Sequence, residues 1–201
     1  MSEEKKIIIS YMNRRLNILT GGVHDGRSKA ELANLRKGIG RIPGDVPELW
    51  GLVLQDLPEE LLSKSGEPTR AEWAIYTAIT LFALHQQSKD ISMHKEKESL
   101  GTAIGELVSS EDDRERVGRR FNTFASSTDM EEAAYHLRGL IQLLKSKSIP
   151  MDYVTLACDL YDYQWSEESR ARVRLRWGQD FYRKNYVNNK NVKGDKIDEK
   201  E

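Results

Sequence analysis

The sequence predicts an all-α protein, an irregular multi-helix bundle of about eight or nine helices. Three observations lead there. Apolar residues recur at helical spacing in several windows, and no stretch sustains the alternation of period two that marks a half-buried strand. Capping residues stand in front of those windows, and Gly and Pro fall between them. The 201 residues are enough to bury a substantial core without staples, and 38% of them are hydrophobic.

Each element follows from local signals. A first helix is predicted over Glu4 to Leu19, stopped by Thr20, Gly21 and Gly22. Ser28 is placed to cap a second helix with Glu31 completing a capping box, and Leu32 and Leu35 form its apolar side before Gly38. The segment GIGRIPGDVP reads as a loop that leads into short helices around Glu48 to Gln55 and Pro58 to Leu62, with Pro47 and Pro58 suited to first turns. Thr69 caps RAEWAIYTAITLFALHQQ, which is apolar on most sides and therefore central; Trp73, Ile75, Tyr76, Ile79, Phe82 and Leu84 are its expected buried residues.

Polar SKDISMHKEKES is a predicted loop, followed by a short helix near Leu100 to Val108 and by EDDRERVGRRFNTF, whose acidic first turn suits a helix N-terminus. Asp129 caps MEEAAYHLRGLIQLLKSK, with Glu132 at the capping-box position and Ala133, Leu137, Leu140 and Leu144 as a core stripe. Pro150 and Asp152 separate it from YVTLACDLYDY. Ser166 opens the last predicted helix, Glu167 to Lys184, on which Val173, Trp177 and Phe181 share one stripe and Arg172, Arg176 and Arg183 another. A helical body over residues 1–187 is expected, divisible into lobes of about 1–109 and 110–187. A disordered polar tail is expected over 188–201.

Charge is segregated along the chain. Lys and Arg total 31 against 32 Asp and Glu, but residues 1–41 carry nine basic and four acidic groups, 42–113 five and fourteen, and 114–201 seventeen and fourteen. Distinct basic and acidic surfaces follow. The single Cys158 excludes an intramolecular disulfide and a CxxC metal site. No apolar run approaches the roughly 20 residues of a membrane span, and the start, MSEEKKIIIS, lacks a signal-peptide pattern. A cytoplasmic protein with no membrane association is expected.

Catalysis finds few candidate groups. His24, His85, His94 and His136 form no HExxH, His85 at the end of an apolar helix reads as a hydrogen-bonded structural residue, and Cys158 reads as a buried inert thiol. GIGRIPG has no GK[ST] ending, and no GxSxG occurs. No metal, cofactor or small-molecule substrate is expected.

Nucleic-acid binding fits the residues better. Arg27, Lys29, Arg36 and Lys37 lie on or beside the second helix; Arg116, Arg119 and Arg120 lie at i, i+3 and i+4 opposite Val117, Phe121 and Phe124; Arg138 and Lys145 are seven apart, on a face away from Leu137 and Leu144; Arg172, Arg176 and Arg183 come from the last helix. Arg174, angularly close to Trp177, is a residue at the core edge. Arginine predominates, which favours bidentate phosphate contacts. Folding is expected to bring these groups into one electropositive track. A helical adaptor that binds only protein partners is the alternative, and a small hydrolase or nuclease the third reading.

Taken in order, GRSKAELANLRKG (Gly26 to Gly38), FALHQQ (Phe82 to Gln87), VGRRFNTF (Val117 to Phe124), HLRGLIQLLKSKSIPMDYVTLACDLYDY (His136 to Tyr163) and VRLRWGQDFY (Val173 to Tyr182) resemble the CasB family, the small subunit of the type I-E CRISPR surveillance complex Cascade. The resemblance covers about residues 26 to 184. It implies an all-helical, non-enzymatic protein that works with the other Cascade subunits and with a second copy of itself. Such a subunit contacts crRNA and target DNA backbone and helps to hold the displaced single strand of the R-loop in antiviral defence. Arg27, Lys29, Arg36, Lys37, Arg119, Arg120, Arg138, Lys145, Arg172, Arg174 and Arg176 match basic positions of its blocks and inherit a backbone-contact role as a group. The acidic middle segment and the polar tail depart from the family pattern.

Overall fold

The structure, a computed structural model, describes residues 1–21 and 26–194, with side chains as far as Arg183. Nine α-helices and three short 3₁₀ turns make up the described residues, and no strand occurs among them. The helices are α1 (Glu3–Gly21), α2 (Gly26–Leu35), α3 (Trp50–Val53), α4 (Arg70–His85), α5 (Leu100–Glu106), α6 (Glu111–Ala125), α7 (Met130–Lys147), α8 (Tyr153–Tyr163) and α9 (Glu167–Gly194). His24 lies outside the described residues. So does 195–201, the end of the expected tail; α9 itself runs past its predicted end at Lys184.

α4 is the central post. Apart from Arg70 and Trp73, every one of its residues is buried, and α1, α2, α7 and α8 all pack on it. Its start is fixed by a full capping box: the Thr69 hydroxyl accepts from the Glu72 amide at 3.1 Å and the Glu72 carboxylate accepts from the Thr69 amide at 2.7 Å. Trp73, expected in the core, is only half-buried and packs against the cluster rather than within it. The Asp129 carboxylate accepts from the Glu132 amide at 2.8 Å, but the Glu132 carboxylate returns to Thr128 rather than to Asp129, so the box is closed one residue early.

Ser28 is not a cap. α2 begins at Gly26, which places Ser28 in its first turns, and the Ser28 hydroxyl donates to the Ile18 carbonyl of α1 at 3.4 Å. The two helices are tied again by buried Arg15, whose guanidinium stands 3.4 Å from Glu31. Pro47 opens a 3₁₀ turn as predicted, whereas Pro58 is the residue before one.

The buried side chains form one connected cluster drawn from all nine helices. α5 lies along α9 so closely that Gly101 has no room for a side chain, since a Cβ there would meet the Trp177 carbonyl oxygen at 2.2 Å. The stripe of Val173, Trp177 and Phe181 is buried as predicted; Trp177 packs on Phe124 and Tyr163 with ring centroids 4.9 and 5.7 Å away. Burial of each such side chain contributes roughly 1.5–3 kcal/mol.

His85 ends α4 fully buried, with Nδ1 2.9 Å from the Tyr153 hydroxyl. Burial above all, helped by the charges of Lys89 and Lys145, pushes its pKa down to about 4. The unfolded value is about 6.5, so the unfolded chain takes up a proton first. Stability is therefore complete above pH 6.5 and is lost as pH falls toward 4, by about 3 kcal/mol from this group. Denaturant titrations at neutral and acid pH should show that loss, and His85→Gln should flatten it.

Candidate nucleic-acid interface

The outer face of α7 borders two clefts that hold several of the predicted cations. Tyr135, Arg138, Gln142 and Lys145 recur along it at three- or four-residue steps, while Leu137, Leu140 and Leu144 on the opposite side are buried. Arg138 and Lys145 are thus about two turns apart, roughly 10 Å along the axis. Each belongs to its own cleft.

The first is a groove of about 430 Å³ between α6 and α7, lined by Arg120, Thr123, Tyr135, His136, Arg138 and Gly139. Arg120 also borders an adjoining hollow that adds Arg116 and Lys147. α6 positions Arg120 because Val117, Phe121 and Phe124 are buried against the core, which turns the polar side outward. Neither Arg120 nor Arg138 has an acidic partner among the described residues. Arg116 and Arg119 do: Arg116 stands 2.6 Å from Asp113 and Arg119 3.7 Å from Glu115. Both pairs are solvent-exposed and weak, so the cations stay available.

The second cleft, about 390 Å³, is lined by Lys29, Arg36, Gln86, Gln87, Ser88 and Lys89 and by one acidic residue, Asp90. Lys145 reaches it from α7, donating to Gln87 Oε1 at 2.7 Å. Arg36 is half-buried and its guanidinium stands 3.4 Å from the Ala83 carbonyl; burial lowers its pKa. The Lys145 pKa is also lowered, by partial burial first and then by the charges of Arg36 and Lys89. Lys145 thus lies close enough to both Arg36 and Lys89 to be repelled by each.

Lys89 comes from a loop that is fastened at both ends. Gln86 donates to the carbonyls of Lys89 and Ile91 and accepts from the Met93 amide, and Asp152 caps α8 while accepting from the Lys97 amide at 3.0 Å. Lys89 itself donates to the Ser148 hydroxyl at 2.7 Å. Sequence patterning missed this residue, because nothing in a polar loop tells which lysine will face a cleft. Tyr135 was readable: it lies three residues before Arg138 on the same helical face.

α9 behaves differently. Arg176 Nη2 donates to buried Asp159 at 2.5 Å, and the Trp177 indole donates to the other oxygen of the same carboxylate at 2.6 Å. Arg174 donates to the Ser127 carbonyl and the Tyr163 hydroxyl, both at 3.2 Å, and Arg183 pairs with Asp180 at 3.5 Å. Arg172 is exposed and sits within electrostatic reach of Glu168. Much of the cationic face predicted on this helix is thus engaged within the molecule. Of the remaining predicted residues, Arg27 is exposed and pairs with Glu31 at 3.2 Å, and Lys37 is exposed beside Arg36.

No group of three or more His, Cys, Asp or Glu able to hold a metal occurs among the described residues. Cys158 is buried and its thiol is pushed up to about 11 by burial. No helix among the described residues is long and apolar enough to cross a membrane.

These features define an all-α protein whose basic clefts are built along one helix. Residues 31–182 match the model of the CRISPR-associated protein Cse2, and the chain belongs to that family. Its fold is similar to that of CasB from Thermobifida fusca, at 30% identity and a TM-score of 0.72, covering 87% of this chain and 97% of that one. CasB from Thermus thermophilus is 25% identical, with a TM-score of 0.64 over 90% of this chain and 99% of that one. A chain from a CRISPR RNA-guided surveillance complex shares the fold at 19% identity, with a TM-score of 0.71 over 92% and 99%. No curated protein sequence matches.

Proposed function

We propose that this chain is a non-catalytic subunit of a type I-E CRISPR surveillance complex in the cytoplasm. It holds crRNA and target DNA by their sugar-phosphate backbones and retains the displaced DNA strand of the R-loop. The observation that carries this is the pair of basic clefts served by one face of α7, with Arg120 and Arg138 in one and Lys29, Arg36, Lys89 and Lys145 around the other. Partners of the same reading are the other Cascade subunits and a second copy of the chain.

The chemistry suits the task. Opening a target duplex and forming a guide–target duplex nearly balance, so modest backbone contacts tip the exchange. Cations that hold the displaced strand oppose its return by charge, with little preference for sequence and a steep dependence on salt. Family membership and the resemblance to CasB support the same role.

The test is single-stranded DNA affinity over a salt series, for the wild type and for Arg120→Ala combined with Arg138→Ala. The variant should bind more weakly at every salt concentration. Its slope of log affinity against log salt should flatten by about 0.7 for every phosphate that the variant no longer neutralises. Equal affinity and equal slope would sink the proposal. If the same variant also failed to join the complex, the adaptor reading would take its place.

A further inference from the structure

The α6–α7 groove contains more than cations. Tyr135 is 71% exposed, with its ring edge-on to His136 at a centroid distance of 5.2 Å. Of the other exposed aromatic residues, Trp50 donates to the Gly44 carbonyl at 3.2 Å, the Arg70 guanidinium covers Trp165 at 4.2 Å from its centroid, and Tyr182 makes an edge contact with Phe181 like that of Tyr135 with His136. Among these, Tyr135 is the one that lines a groove whose two arginines lack acidic partners among the described residues.

The floor of that groove is equally informative. Gly139 sits in mid-helix, where glycine is less favourable than alanine. A Cβ there would meet nothing within 4 Å, as is also true of Gly118 in α6 and Gly178 in α9, so the groove beside Tyr135 is open at this point. A bare backbone leaves room for a flat group to approach α7 beside the tyrosine ring.

We propose that the groove seats one unpaired nucleobase, stacked on Tyr135, with Arg120 and Arg138 on its flanking phosphates. This rests on the nucleic-acid role above and adds to it a preference for single strands, since a paired base keeps its faces inside the duplex stack. Aromatic stacking tolerates any base, because every base has a π face. His136, held edge-on, keeps the ring oriented.

The experiment compares a short single-stranded DNA with an abasic deoxyribose-phosphate strand of equal length. Binding of the wild type should be about five- to hundredfold tighter for the base-bearing strand. Tyr135→Ala and Gly139→Leu should erase most of that difference, while Tyr135→Phe should keep it. Because the space around Gly139 is open, the leucine fills the groove without disturbing the core, and circular dichroism checks that the helix persists. Equal wild-type affinity for both strands, with steep salt dependence, overturns base stacking and leaves backbone binding intact. A difference that survives Tyr135→Ala places stacking elsewhere and overturns this assignment. Weak, salt-independent binding of both strands overturns the nucleic-acid role itself.

Discussion

Asp159→Ala should destabilise the protein by roughly 1–3 kcal/mol, the cost of leaving the buried Trp177 indole donor without its acceptor. For a chain of this length that is a fall in Tm of roughly 2–12 °C, measurable by calorimetry. The Asp159 carboxylate, 4% exposed, is the meeting point of α8 and α9. Burial raises its pKa, and Arg176, then the Trp177 indole, work against that rise. Losing the carboxylate strands the indole, whereas the half-exposed Arg176 guanidinium can turn to water. Arg176→Ala should also cost stability, because the acid is then left with the indole alone, yet it should leave oligonucleotide affinity nearly unchanged. That contrast separates an arginine that builds the scaffold from Arg120 and Arg138, whose removal should act on binding and hardly on stability.

Gly101→Val should be at least as damaging. At this glycine the backbones of α5 and α9 nearly touch: an added Cβ would lie 2.2 Å from the Trp177 carbonyl oxygen, 2.9 Å from Asp180 Cβ and 3.1 Å from the Phe181 amide nitrogen. Two of those atoms are backbone and cannot swing aside, so α5 must move bodily away. Overpacking costs about 1–3 kcal/mol where side chains can adjust, and more where they cannot. Separation also pulls Ser99 from Asp180, a 2.7 Å hydrogen bond that fastens the start of α5 to α9. A loss of about 3 kcal/mol or more is expected in denaturant unfolding, with Gly101→Ala intermediate.

The helices were legible in the sequence because their signals are local. Thr69, Asp129 and Ser166 stand immediately before the turns they cap, and Val173, Trp177 and Phe181 announce a buried stripe by spacing alone. Ser28 misled because a serine followed three residues later by glutamate is a cap only if the helix starts there. The Ile18 carbonyl that occupies its hydroxyl comes from another helix. The candidate interface was legible by half. Helical spacing identified Arg120, Arg138 and Lys145, but not which arginines would be consumed internally. Asp159 is seventeen residues from Arg176 in sequence, and only the packing of α8 on α9 brings them together. Lys89 meets the second cleft through a loop whose shape depends on Gln86 and on Asp152, the latter 55 residues away from the Lys97 amide it accepts from.

That loop has a thermodynamic consequence. Arg36, Lys89 and Lys145 are held side by side before any ligand arrives, so little chain entropy remains to be surrendered on capture, and the local frustration among like charges is already built in. Counter-charge settling between them turns that frustration into cohesion across the α4–α7 junction. On the proposed role, a polyanion bound only by the native state should therefore also raise the stability of the fold.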